Sequence, residues 1–212
     1  MSVRLALPRE GVLRPNDAHD PLPYYYHPWV GWLYRHRLQM GLDLLPAGGR
    51  RVLEVGVGSG VLVPTLTARY AEYTGTDLTL APGLEAHVAA GCAATFRRAD
   101  LLADDLPADH FDAIVCFSVL EHIRDADGAA RGLARALAPG GTLVTGYPMV
   151  SRLMTRAFEA IGYRGIDDHH VSPPATIAAA LARALVPVAR VAFPPLAPLP
   201  AALYQCSAWT KR

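Results

Sequence analysis

Glycines, carboxylates and histidines stand in this chain at spacings that can do chemistry. Gly56, Gly58 and Gly60 alternate in R-V-L-E-V-G-V-G-S-G, residues 51–60, directly after a short apolar run that carries Glu54. Such glycines let the backbone turn sharply and approach a ligand without Cβ atoms in the way. Free N–H groups at the start of a following helix then face that ligand. Whatever binds there binds close to main chain, Val57 included. Asp77 closes Y-T-G-T-D, and an ionised Asp at a strand end accepts hydrogen bonds from both hydroxyls of a ribose; capping of the next helix is its competing role. Histidine is the side chain best suited to proton transfer near neutral pH, which makes His122, His169 and His170 the candidates for a general base.

These residues need strands and helices to bring them together. Val52, Leu53 and Val55 suit a parallel strand buried on both faces, and Leu62, Leu66 and Tyr70 follow at helical spacing. Further strands are expected over Tyr73–Asp77, Ala94–Ala99, Phe111–Phe117, a run before Tyr147, Val188–Phe193 and Leu203–Thr210. Helices are expected over Ser151–Ile161 and Pro174–Leu185. Before the first strand, Trp29, Leu33, His36, Met40 and Leu44 recur at helical spacing until Pro46. Residues 24–45 are therefore read as a helix packed on the domain, and residues 1–23, rich in Pro, Asp and Arg, as a mobile or loosely packed arm. Residues 24–212 form one α/β domain in this reading.

The spacing G-x-G-x-G, with Glu54 two residues before the first glycine, departs from the dinucleotide fingerprint G-x-G-x-x-G. It resembles motif I of class I S-adenosylmethionine-dependent methyltransferases, in which the acidic residue and the glycine loop hold the methionine end of the cofactor. F-D-A-I-V-C-F-S-V-L-E-H-I at 111–123 resembles their motif IV and the turn after it, and A-P-G-G-T-L-V-T-G at 138–146 resembles the element before strand five. The resemblance covers residues 51–147. It implies a Rossmann-like sheet of seven strands, mostly parallel with the last antiparallel, helices on both faces, and S-adenosyl-L-methionine as cofactor.

On that expectation Gly56, Asp77, Asp100 and Phe117 converge on one rim, outside the carboxyl ends of the strands. Leu78 lies against an adenine face. The Asp100 carboxylate accepts from the adenine amino group while Leu101 N–H donates to a ring nitrogen, and Phe117 and Ser118 complete the cofactor set. Residues 148–212 then supply the acceptor side. His169 and His170, in D-D-H-H-V-S-P, fall where such enzymes contribute to the acceptor site and are the first choice for a base; capping a helix or facing solvent is their alternative. Glu121 and His122 are read as shaping the pocket. No metal is expected: one metal-dependent branch of quinone-precursor O-methyltransferases has an acidic residue three positions before its E-H, where this chain has Ser118.

Composition narrows the acceptor. Across 212 residues the formal net charge is +1 and charged residues make up 18%, which provides no basic field for nucleic acid. Cys92, Cys116 and Cys206 are far apart and odd in number, which fits reduced thiols in a cytoplasmic setting. No stretch reads as a signal peptide or a transmembrane segment. A hydrophobic fraction of 51% suits an apolar or aromatic small-molecule acceptor, with core packing as the alternative explanation; the methyltransferase resemblance is read as transfer to oxygen or carbon rather than nitrogen. The rival readings are a cofactor-binding regulatory partner without transfer activity and a nicotinamide-dependent oxidoreductase.

Overall fold

The computed structural model describes residues 4–46, 48–149, 171–195 and 202–211. Side-chain alternation along β1 (Arg51–Val55) sets the layering: Val52 enters one apolar cluster and Leu53 the other. β4 (Phe111–Phe117) repeats the division, with Ile114 on Leu53's side and Val115 on Val52's. Both strands are thus covered on two faces, as their unbroken apolar runs require.

The remaining elements follow that plan. Before β1 come α1 (Leu22–Tyr26) and α2 (Gly31–Leu42); after it come α3 (Val63–Thr67), β2 (Glu72–Asp77) and β3 (Ala93–Arg98). β4 is followed by a short 3₁₀ turn, Leu120–His122, then α4 (Ala126–Ala136), β5 (Leu137–Pro148), α5 (Pro174–Ala184), β6 (Val186–Phe193) and β7 (Tyr204–Thr210). The strands form one seven-stranded sheet in the order β3-β2-β1-β4-β5-β7-β6. β1 pairs in parallel with β2 and β4, setting Leu53 opposite Thr74 and Ile114, and only β7 runs antiparallel to its neighbours. Strand order reverses between β1 and β4, so the ligand crevice of such a sheet lies beyond Val55 and Phe117. The expected α/β, Rossmann-like fold class is the one observed. The helix expected over Ser151–Ile161 lies outside the described residues.

Two expectations before β1 are corrected. The single helix expected over residues 24–45 is split into α1 and α2, with Trp29 between them, and α2 does not bury the stripe through His36 and Met40. It buries Gly31, Leu38, Gly41 and Leu42, while Trp29 is 81% exposed. The reason is close approach: a Cβ on Gly41 would sit 2.2 Å from Cζ of Phe117, so the helix, which lies over β5 and β7, passes the ring at the end of β4 through a glycine. Trp32 and His36 instead pack edge-on against Phe193 at the end of β6, at 5.7 and 5.1 Å between ring centroids. Gly41→Val is expected to lift α2 from the sheet, costing about 2–3 kcal/mol and lowering Tm by about 5–10 °C. An unchanged thermal unfolding midpoint would contradict this packing.

The N-terminal stretch is packed rather than loose. Leu13 and Leu22 are buried in the α2 side of the core. Leu5 N–H donates to Gln39 Oε1 at 2.9 Å, Ala6 N–H to Thr65 Oγ1 at 2.8 Å, and the Tyr26 hydroxyl to Pro8 O at 2.9 Å. Its backbone groups find partners on α2 and α3, which periodicity in residues 1–23 does not reveal.

Candidate cofactor and acceptor site

β1 ends in a turn that only glycine can make at low cost. Gly56, Gly58 and Gly60 have φ of 81°, 53° and 82°, in the left-handed region that L side chains avoid. A Cβ on Gly56 would also meet Val119 Cγ2 at 2.2 Å. Gly56 and Val57 donate to Thr76 O at 2.8 and 3.2 Å, and Gly58 N–H donates to Asp77 Oδ2 at 2.7 Å. The turn is therefore bolted to the end of β2. At Gly58 nothing approaches a Cβ more closely than Asp20 Oδ2, at 3.8 Å, so this position is open on the ligand side.

Sequence reasoning missed the residues over this turn. Asp20 Oδ2 accepts from Asn16 N–H at 3.1 Å and its Oδ1 from Leu22 N–H at 2.8 Å, while Asn16 Nδ2 donates to Thr79 O at 3.1 Å. Residues 16–20 thus run from the end of β2 to the glycine turn. The signal for them was N-D-A-H-D-P, whose Asn and Asp before Pro mark a side-chain-capped turn.

Other expected cofactor residues fall into three groups. Asp77 and Leu78 lie at the rim: Asp77 Oδ1 also accepts from Thr79 N–H at 3.2 Å, and Leu78 is 62% exposed. Asp100 is exposed beyond β3, where its Oδ1 accepts from Leu102 N–H at 2.9 Å, and the Leu101 side chain packs onto the cluster that includes α4. Glu54 is different. It is 3% exposed and accepts from the Tyr73 hydroxyl at 2.6 Å beneath the turn. Burial pushes its carboxyl up to about 8, opposed by the Tyr73 bond and assisted by the charge of Asp77. The structure therefore ties Glu54 to β2 instead of opening it to the rim.

The remaining expected residues lie at and beyond the end of β4. The Phe117 ring lies against Gly41 of α2 and Gly146 of β5. Ser118 follows at φ 55°, a conformation uncommon for a non-glycine residue. It is held by its N–H to Gly146 O at 2.7 Å and by a hydroxyl contact of 3.1 Å with Tyr204. Glu121 is buried, with Oε2 sealed from solvent and without a hydrogen-bond partner, and burial raises its carboxyl to about 7 against its own backbone bond and Arg37. Its carbonyl accepts from Val171 and Ser172 N–H at 2.9 and 3.1 Å. His122 is exposed. His169 and His170 lie outside the described residues. Among the described residues no cluster of His, Cys, Asp and Glu could hold a metal ion.

A parallel sheet closed by an antiparallel last strand, with a three-glycine turn at its switch point and an acid ending the next strand, defines the Rossmann-like class I methyltransferase fold. The model of the methyltransferase-domain family matches residues 33–185, and the chain belongs to that family. A ubiquinone biosynthesis O-methyltransferase of Pseudomonas putida is 35% identical over 138 residues, covering 63% of this chain and 53% of that protein. The chain thus spans about half the length of the curated relatives it matches. Among solved structures, an N-methyltransferase of Bradyrhizobium japonicum in complex with S-adenosylhomocysteine aligns with a TM-score of 0.63 and 21% identity, over 93% of this chain and 95% of that one. The geranyl diphosphate C-methyltransferase of Streptomyces coelicolor aligns with a TM-score of 0.65 and 14% identity, over 94% and 88%. At these identities the structural likeness establishes the fold alone.

Proposed function

We propose that the chain transfers a methyl group from S-adenosylmethionine to a small-molecule acceptor, most favourably to oxygen. The observation that carries the reading is the Gly58–Asp77 pair: an open glycine whose N–H is bonded to a carboxylate at the end of β2. A ribose at the rim needs such a carboxylate, and a chain passing close to the main chain needs such a glycine. The O-methyltransferase relative supports oxygen as the acceptor atom, while the structural neighbours named for N- and C-methylation show that the fold serves all three.

When bound, the cofactor supplies a sulfonium whose methyl group is already electrophilic. The protein's task is then alignment and exclusion of water. Asp77 holds the ribose diol, Leu78 covers the adenine, Asp100 and Leu101 bind its edge, and the Gly56–Gly60 turn bears on the methionine part. Phe117 and Ser118 form the wall between cofactor and acceptor. A hydroxyl acceptor loses its proton as the new C–O bond forms, and His170 or His169 is the proposed base. Support comes from Val171, the next residue in the chain, whose N–H bonds to the carbonyl of Glu121, three residues after Ser118. Glu121 and His122 shape the pocket.

The acceptor is proposed to be apolar or aromatic, such as a phenolic secondary metabolite or quinone precursor, and the setting cytoplasmic. No described helix is long and apolar enough to cross a membrane. Asp77→Ala removes the ribose acceptor and the anchor of Gly58 together. It is expected to weaken S-adenosylhomocysteine binding by about 10–100-fold, the range for lost hydrogen bonds to a charged group. Wild-type affinity in calorimetric titration would remove Asp77 from the site.

A further inference from the structure

Close to Ser118 lies a buried cation that forms no ion pair with a described carboxylate. Arg37 projects from α2 into a cage of three tyrosine rings, with Cζ 4.3 Å from the Tyr34 centroid, 5.5 Å from Tyr204 and 5.6 Å from Tyr25. Its Nη2 donates to the Tyr25 hydroxyl at 3.1 Å. Its Nε is sealed from solvent and has no acceptor, and no carboxylate pairs with the guanidinium among the described residues. Burial works against the charge, but Tyr25, Tyr204 and Tyr34 more than offset it, so the group stays cationic.

A desolvated guanidinium with an unused donor is expensive to keep unless something pairs with it. The cage also adjoins the reacting region. Tyr204, under the guanidinium, contacts Ser118 Oγ through its hydroxyl at 3.1 Å, and Val119, next in sequence, packs over Gly56 of the cofactor turn. Glu121, with its own unpartnered Oε2, interacts electrostatically with Arg37.

We infer that Arg37 is the anchor for an anionic acceptor, a planar carboxylate that takes the guanidinium on one edge and lies against the tyrosine rings. This rests on the reading of the rim as a methyl-transfer site and adds the charge of the substrate to it. A carboxylate matches the guanidinium fork with two parallel hydrogen bonds, and the rings of Tyr25, Tyr34 and Tyr204 suit a flat body attached to it. The unpartnered oxygen of Glu121, when protonated, donates to the same acceptor. Nothing in α2's own packing requires a charge at this point, since Leu38, Gly41 and Leu42 already make the buried face.

The test is calorimetric titration of the full chain with benzoate, benzyl alcohol and inorganic phosphate, each with and without S-adenosylhomocysteine. Saturable binding of benzoate about tenfold or more tighter than benzyl alcohol is expected, lost in Arg37→Met and partly kept in Arg37→Lys, which retains the charge without the fork. Both variants are expected to bind S-adenosylhomocysteine as wild type does. Equal binding of benzoate and benzyl alcohol, a preference for phosphate, or undiminished benzoate binding by Arg37→Met would overturn the inference. If Arg37→Met fails to fold, Arg37→Lys decides: benzoate affinity equal to wild type counts against the fork. Absence of S-adenosylhomocysteine binding to wild type would instead remove the methyltransferase reading, so the two failures are told apart.

Discussion

Gly56→Ala is expected to lose S-adenosylhomocysteine binding by about 100-fold or more and to destabilise the protein more than Gly58→Ala, which should lose binding while costing only its backbone strain. Both positions are left-handed, at φ 81° and 53°, so each substitution carries about 1–2 kcal/mol of backbone strain. They differ in what a new Cβ meets. At Gly56 it collides with Val119 Cγ2 at 2.2 Å and must move the residue next to Ser118, adding an overpacking cost of about 1–3 kcal/mol. At Gly58 it enters open space, 3.8 Å from Asp20 Oδ2, where the proposed ligand passes. Thermal unfolding beside calorimetric titration separates the two effects. Wild-type affinity in Gly58→Ala would show that no ligand comes close to the main chain at this turn.

A second large effect follows from the buried carboxyl under the same turn. Glu54, held up to about 8 by burial, is protonated at neutral pH in the folded protein and ionised in the unfolded chain, whose carboxylates titrate near 4.5. The folded state therefore binds the extra proton between these values, and stability falls as pH rises from about 4.5 to about 8. Glu121, raised to about 7, adds an effect of the same sign over a narrower window, from about 4.5 to about 7. Glu54→Gln keeps an acceptor for the Tyr73 hydroxyl but cannot ionise. It should be more stable than wild type at pH 7.5, by something on the order of 3 kcal/mol, and should have a distinctly flatter dependence of Tm on pH. Parallel pH profiles for the two proteins would show that Glu54 is ionised in the fold.

Much of this was legible because it is local. The glycine turn, the strands around it and the acid ending β2 are written in consecutive residues, where apolar runs and Gly spacing have one economical solution. The reversed β7 came from the family resemblance. What was not legible depends on distance in sequence. α2 buries Leu38, Gly41 and Leu42 in place of the expected stripe because its inner face must pass Phe117, about 75 residues away, through Gly41. Glu54 carries the motif, yet its carboxyl goes to Tyr73 because β2 lies beside it in parallel register. The Arg37 cage joins two tyrosines near the N-terminus to one on β7, and no window of sequence contains all three. Asn16 and Asp20 were passed over because a Pro-rich stretch without periodicity gives no sign of what it will lie against.

Methyl transfer by this chain depends on one ligand at one place. Titration of the 212-residue chain with S-adenosylhomocysteine, with Asp77→Ala in parallel, tests it most directly. One saturable site per chain, weakened by the substitution, is the predicted result. A folded wild-type protein that takes up no S-adenosylhomocysteine would contradict the proposed cofactor site and the methyl transfer built on it.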